Sequence, residues 1–215
     1  TGWTTSRSQR DFLIEEKTYT LAETLWQGGY HTAFYGMWMA PDNATEEATP
    51  LEHGFDEWLG QLHAKDAKIA YPKSLWVNEK LVDLPESKEP VSAGELILRA
   101  AVAELEQQSQ QARRPLFMMV VLPPYLDMVA ELGEQELSKS SDWPAEAQTY
   151  GAAVRMIDRD CGRILASIDR LNLTRRTSIV FTALSGADDR HTTAMEYFQS
   201  RGDFRENNVG LGEGN

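Results

Sequence analysis

Few side chains in this 215-residue chain can do chemistry, and their spacing decides which chemistry is open to them. His31, His53, His63 and His191 are the side chains that titrate near neutrality when unperturbed. His191 follows Asp188 and Asp189, a trio that offers three metal ligands, but in a polar loop such residues read as solvated. His53 precedes Gly54-Phe55-Asp56 and reads as the holder of that turn, through Asp56, while His31 and His63 have no placed partner and read as structural. Met37, Met39, Met118 and Met119 would suit a soft metal. Beside apolar strands, however, methionine reads as core. The single cysteine, Cys161, excludes an internal disulfide and a Cys-based zinc site, and reads as a small core residue on a helix stripe.

These residues must be positioned by alternating helices and strands, a pattern that predicts an α/β fold with a mostly parallel sheet flanked by helices. One domain is expected over residues 1–215. Thr20 and Glu23 form a capping-box pattern ahead of Leu21, Leu25 and Trp26, and Gly28-Gly29 stops that helix. Residues 30–35 read as a short strand ending at Gly36. Residues 93–110 read as a helix with Ile97, Ala101 and Leu105 on its apolar stripe. The unbroken apolar runs 116–122 and 178–182 read as central strands buried on both faces. Between them, residues 150–171 show helical spacing of Val154, Ile157, Cys161, Ile164, Leu165, Ile168 and Leu171.

In such sheets, functional groups gather at the carboxyl ends of the strands. Here those ends are Gly36-Met37-Trp38-Met39, Pro123-Pro124 and Ala183-Leu184-Ser185-Gly186, which hold no carboxylate pair, no histidine and no cation for an anion. A formal charge of −12 argues against nucleic acid as a partner, since phosphate binding needs clustered Lys and Arg. No apolar run reaches the roughly 20 residues of a membrane-spanning helix.

Several segments, in order, resemble the sulfatase family. Thr20-Leu21-Ala22-Glu23 through Gly28-Gly29-Tyr30-His31-Thr32 is similar to its "TLAE…AGY-x-T" helix and strand. His53-Gly54-Phe55-Asp56-Glu57-Trp58-Leu59-Gly60 resembles "RGFDEFYG", and Tyr71-Pro72-Lys73-Ser74-Leu75-Trp76-Val77-Asn78 resembles "YP-x-x-LW-x-N". Asp158-Arg159-Asp160-Cys161-Gly162-Arg163-Ile164-Leu165, then Ile179-Val180-Phe181-Thr182, resembles "DRDVGRLL…LVIFTSDNG", and Gly210-Leu211-Gly212-Glu213-Gly214 resembles the stretch ending in "YEGG".

The resemblance implies the alkaline-phosphatase-like fold. It also implies sulfate-ester hydrolysis by a formylglycine nucleophile from "C/S-x-P-x-R", a calcium ion, and Lys and His groups that meet developing charge. Position by position, the expected groups are absent from this chain. The Lys and His of "GKWHLG" stand here as Met37 and Met39, the His of "PH" as Pro124, and the Lys of "RG-x-K" as Asn208. The calcium ligands of "SDNG" stand as Leu184 and Ser185. The nucleophile motif and the early Asp-Asp ligands precede the family's "TG", which Thr1-Gly2 resembles, so the chain is expected to lack the first strand as well as the part after "YEGG".

The reading is therefore a sulfatase-like body without catalytic residues, metal, cofactor or sulfated substrate, serving as an accessory subunit of a protein assembly. The alternative is a fragment of an arylsulfatase-type hydrolase whose nucleophile and remaining ligands lie outside this chain. Trp3, Trp58, Trp76 and Trp143 fall in predicted loops or turns, where tryptophan anchors interfaces, while some read as ordinary core, Trp58 at a family aromatic position among them. Asn43-Ala44-Thr45 and Asn172-Leu173-Thr174 are glycosylation sequons. The resemblance implies an extracytoplasmic location.

Overall fold

The computed structural model describes residues 19–40, 49–111, 114–133, 142–183 and 192–199. Its packing falls into two compact units, Thr1–Pro124 with Gly162–Leu173, and Tyr125–Cys161 with Thr174–Asn215.

The first unit is a sheet flanked by helices. Helix α1 (Leu21–Gln27) opens with the expected capping box: Glu23 N–H donates to Thr20 Oγ1 at 3.0 Å, and Thr20 N–H donates to Glu23 Oε2 at 2.6 Å. Two of the orphan amide donors of the first turn are thereby satisfied. Gly28 caps the carboxyl end, and Gly29 adopts φ of 84°, where glycine pays no Cβ penalty. Five strands follow: β1 (His31–Ala40), β2 (Glu57–His63), β3 (Ser74–Val77), β4 (Lys80–Asp83) and β5 (Leu116–Val121). They lie in the order β4-β3-β2-β1-β5, with β1 parallel to both β2 and β5, and with β3 antiparallel to its neighbours.

Helix α2 (Ala93–Gln111) covers one face through the expected stripe, with Ile97 and Ala101 packed against Ala33 and Tyr35 of β1. The other face holds a larger cluster that includes Ala22, Phe34, Phe55, Trp58, Leu62 and Trp76. Residues of α4 (Ala145–Arg170) that belong to this unit are tied to α2 by Arg163–Glu95 at 2.5 Å and Arg170–Glu106 at 2.7 Å. In the second unit, short α3 (Tyr125–Met128) presents the Tyr125 hydroxyl, which donates to the buried Asp160 carboxylate on α4. Trp143 lies across Phe198 of α5 (Thr192–Phe198), ring centroids 4.9 Å apart.

Several expectations are corrected. Strand β1 does not end at Gly36 but runs on to Ala40. The stretch 57–83, read as turn and loop, supplies three strands; Trp58 is core, as its family aromatic position implies, and Trp76 is stacked on it in the core rather than anchoring a loop. Trp58 lies opposite a tight connection, its indole donating to Asn78 O, so burial and hydrogen bonding are both satisfied there. Run 116–122 is not central: β5 ends the sheet among the described residues and is only half-buried, because one edge has no neighbour to cover it. Among the described residues, 178–182 join no strand of the sheet, and Val180 is 86% exposed. On α4 the expected stripe is packed in part: Ile168 is buried and Ile157, Cys161 and Ile164 are half-buried, whereas Val154 and Leu165 are exposed and Ala152, Ala153, Met156 and Asp160 are buried as well.

The sheet is threaded through one close backbone approach. Gly36 on β1 stands opposite Gly60 on β2 and Val121 on β5. A Cβ at Gly36 would lie 2.0 Å from Val121 O, at φ of 131°, and a Cβ at Gly60 would lie 1.7 Å from Gly36 O. Gly36→Ala is therefore expected to cost about 3 kcal/mol or more through overlap and backbone strain. Gly162→Ala, on α4 with nothing within 4 Å of the added carbon, is expected to stabilise by about 0.5–1 kcal/mol. Urea denaturation of both variants checks the pair: opposite shifts in midpoint are the expected outcome.

Candidate functional site

The carboxyl end of β1 carries Met37, Trp38 and Met39 within the strand. Met37 is buried, 6% exposed, inside the cluster with Phe34, Trp58 and Val121. Trp38 meets Phe34 edge-on at 5.2 Å and stacks on His53 at 5.5 Å. Met39 is exposed and takes φ of 64°, a value uncommon outside glycine, and the β1–β2 register shifts between Met37 and Ala40. Such a bulge re-aims side chains at a strand end, but here it turns a thioether outward. Beyond β5, Pro123 is buried and Pro124 half-buried.

At the end of β2, which was not expected to be a strand, Gln61 is buried and donates from Nε2 to Asp66 O at 2.6 Å, while its Oε1 has no hydrogen-bond partner. His63 stands in register with Ala40. The alternation of Trp58, Gly60 and Leu62 was the available signal for this strand, obscured by the turn-like Gly54 and Gly60 around it. The turn histidine also behaves differently from the expectation. His53 does not hold Asp56; its carbonyl accepts from Thr20 Oγ1 at 2.8 Å and its ring packs on Trp38. Burial pushes the His53 imidazole below its usual pKa, against the opposite pull of Glu23 and Glu52, which favours the neutral ring.

The dense polar cluster of the first unit lies at the other end of the strands. His31 opens β1, Asp56 and Glu57 stand at the start of β2, Glu104 comes from α2, and Arg114 precedes β5. His31 Nδ1 is 3.2 Å from Asp56 Oδ2, and His31 Nε2 is 3.3 Å from Glu104 Oε1 and 3.8 Å from Glu57 Oε1. Asp56 also accepts from Thr32 N at 3.1 Å, from the Trp26 indole at 3.0 Å and from the Arg114 guanidinium. Partial burial raises the Asp56 pKa, but the Thr32 amide, Arg114 and Trp26 together outweigh it and hold the carboxyl below the usual range. Burial, with Glu104 and Glu57 nearby, pushes the Tyr35 phenol well above its ordinary value. The sequence showed His31 without a partner because its four polar neighbours lie 25 or more residues away. Leu184, Ser185, Asp188, Asp189, His191, Asn208, Trp3 and Asn43 lie outside the described residues.

A mixed, mostly parallel sheet flanked by helices defines the fold as α/β. The chain belongs to the sulfatase family, whose family model, Sulfatase, matches residues 4–187. It is 26% identical over 185 residues to N-acetylgalactosamine-6-sulfatase of Canis lupus familiaris, and 27% identical over 182 residues to that of Homo sapiens. In both cases the match covers 81% of this chain and 34% of the relative, so the chain spans about a third of the length of these relatives. Among solved structures it is similar in fold to Ps i-CgsB in complex with k-i-k-neocarrahexaose, with TM-score 0.71 at 19% identity over 94% of this chain and 46% of that one. A Bacteroides thetaiotaomicron protein of glycosaminoglycan metabolism matches with TM-score 0.68 at 16% identity, over 95% of this chain and 54% of its own.

The Asp56 network gives a sign-specific test. A carboxyl whose folded pKa is depressed stabilises the fold above its unfolded pKa, and that contribution is lost as pH falls through the folded value. Asp56→Asn is expected to cost about 1.5–3 kcal/mol at neutral pH, the worth of hydrogen bonds to a charged group. The difference from the parent protein should shrink as the medium is taken below about pH 4, where the unfolded carboxyl protonates. Denaturant titrations across pH check this; a gap that widens in acid would contradict it.

Proposed function

We propose that this chain is a non-catalytic sulfatase-family body, working as a structural or accessory part of a larger protein assembly. The observation that carries this reading is Met37. At the position that resembles the lysine of "GKWHLG", an uncharged side chain is sealed into the apolar cluster with Phe34, Trp58 and Val121. A cation there would lose most of its hydration. Met39 and Pro124, at two further positions where the family places histidine, have neither a proton to move nor a charge to offer. The formylglycine–calcium centre supplies a nucleophile and polarises the sulfate when present. The thioethers and pyrrolidine ring at these strand ends do not fit the groups that should surround it, so no step is routed through it. At Leu184, Ser185 and Asn208, the reading rests on the sequence alone.

An interaction role is supported by a run of apolar surface. Ile179, Val180 and Phe181, consecutive in the chain, are 56%, 86% and 77% exposed. Contiguous apolar surface of that kind is covered by protein in stable assemblies. The partner is protein rather than nucleic acid, given the charge of −12. Among the described residues, no helix is long and apolar enough to cross a membrane, and the family resemblance favours an extracytoplasmic setting. A second reading has its own observation. Because the chain spans 34% of the curated relatives, it suits a segment of a longer arylsulfatase-type hydrolase whose nucleophile lies elsewhere in the polypeptide.

The two readings part in one assay. Each lost charge-stabilising group typically costs ~10²–10³ in rate, and several lost together leave nothing measurable. The protein from the full reading frame is expected to show no turnover of 4-nitrophenyl sulfate or a sulfated N-acetylgalactosamine above a protein-free blank, with or without calcium. It should co-elute with a second polypeptide or scatter light as a larger particle. Turnover that follows the protein through purification, from a well-behaved monomer, would establish the second reading instead.

A further inference from the structure

We propose that His31, Glu57 and Glu104 form a binding site for a divalent transition-metal ion of the zinc type, at the amino end of the sheet. This site lies away from the Met37 and Met39 strand end, and it does not depend on whether that end is catalytic.

The inference starts from the two ring nitrogens of His31. The Asp56 carboxylate sits 3.2 Å from Nδ1, itself bonded to Thr32 N, the Trp26 indole and Arg114. Nδ1 is also 3.3 Å from the Arg114 guanidinium, so that nitrogen is engaged on both sides, and the ring nitrogen left for a ligand is Nε2, on the side away from Asp56. Nε2 is buried and makes no aligned hydrogen bond, yet carboxylate oxygens of Glu104 and Glu57 lie 3.3 and 3.8 Å away. A lone pair facing two carboxylates in a buried space is repulsive unless a cation stands between them. A proton on Nε2 would serve one oxygen by a straight hydrogen bond, and no such alignment exists. A metal ion satisfies all three groups at once.

The distances suit an ion. With bonds of about 2.0–2.1 Å, the ligand atoms of a tetrahedral zinc site stand about 3.4 Å apart. One nitrogen and two carboxylate oxygens here lie within 4.8 Å of one another, with the two measured histidine distances bracketing that value. The arrangement Asp56–His31–ion is also the outer shell that fixes the tautomer and orientation of metal-binding histidines. Charge points the same way. Among the described residues, the three carboxylates of Asp56, Glu57 and Glu104 gather around His31 with one guanidinium, that of Arg114. Glu104 is almost wholly buried, its remaining polar contact being the Gln108 amide at 3.0 Å. Three protein ligands leave a fourth position, and Glu57, 44% exposed, marks the side open to solvent.

The test uses the protein from the full reading frame, stripped with chelator and titrated calorimetrically with Zn²⁺ near neutral pH. The parent protein is expected to bind one Zn²⁺ at this site and to melt at higher temperature when loaded. Glu57→Gln, at a half-exposed position that leaves the fold intact, is expected to weaken binding at least tenfold. His31→Gln and Glu104→Gln should abolish it, with circular dichroism confirming that each variant is folded. Co²⁺ in place of Zn²⁺ should give the visible absorption of a four-coordinate nitrogen–oxygen site in the parent and lose it in Glu57→Gln. Absence of a stoichiometric isotherm in the folded parent protein overturns the proposal. So does an isotherm that Glu57→Gln and His31→Gln leave unchanged, which would place the ion elsewhere.

Discussion

The first unit depends on one backbone constraint, the contact of β1 with both of its neighbours at Gly36. Gly60 faces it on one side and Val121 on the other, at separations that leave no volume for a Cβ. Once β1 is fixed there, its register dictates the rest. Ala33 and Tyr35 meet Ile97 and Ala101 of α2, while Phe34 meets Phe55 and Trp38 on the opposite face. The glycines contribute no apolar surface themselves. They permit an approach from which the flanking side chains gain theirs, and that division of labour is how a short parallel core is held to close-packed density.

From that anchor the two ends of β1 diverge in chemistry. The carboxyl end, where α/β sheets usually place their working groups, is apolar in the described residues: Met37 sealed, Met39 turned outward on a left-handed backbone, prolines beyond β5. The amino end is polar and crowded, with Asp56 taking hydrogen bonds from backbone, indole and guanidinium, and His31 wedged between three carboxylates. Of these carboxylates Glu104 is the buried one, and a buried charge is unfavourable without a compensating partner. Among the described residues of the first unit, the dense polar cluster thus stands at the amino end of β1.

The exposed apolar segment Ile179-Val180-Phe181 belongs to the second unit and shows the same economy in reverse. Three consecutive large apolar side chains exposed to water are not an arrangement that a finished surface favours. Their sequence has the composition of a buried strand because it is suited to being one. What it lacks among the described residues is an edge to join.

Local signals were legible from the chain alone. The Thr20–Glu23 capping box, the Gly28 stop and the Ile97–Ala101–Leu105 stripe involve residues within a turn or two of one another, and short-range sterics fix them. Family membership was legible as well, through ordered motifs at sustained spacing. Tertiary structure decided everything that depends on who stands beside whom. It made Trp58 and Trp76 a stacked core pair and, among the described residues, put run 116–122 at the end of the sheet and 178–182 outside its strands. It also decided which part of the expected α4 stripe is packed. It gathered His31, Asp56, Glu57, Glu104 and Arg114 from separate elements into one cluster. The physical reason is that propensity and periodicity act over a few residues, whereas burial and electrostatics act through space, between groups that the sequence keeps 25 or more residues apart.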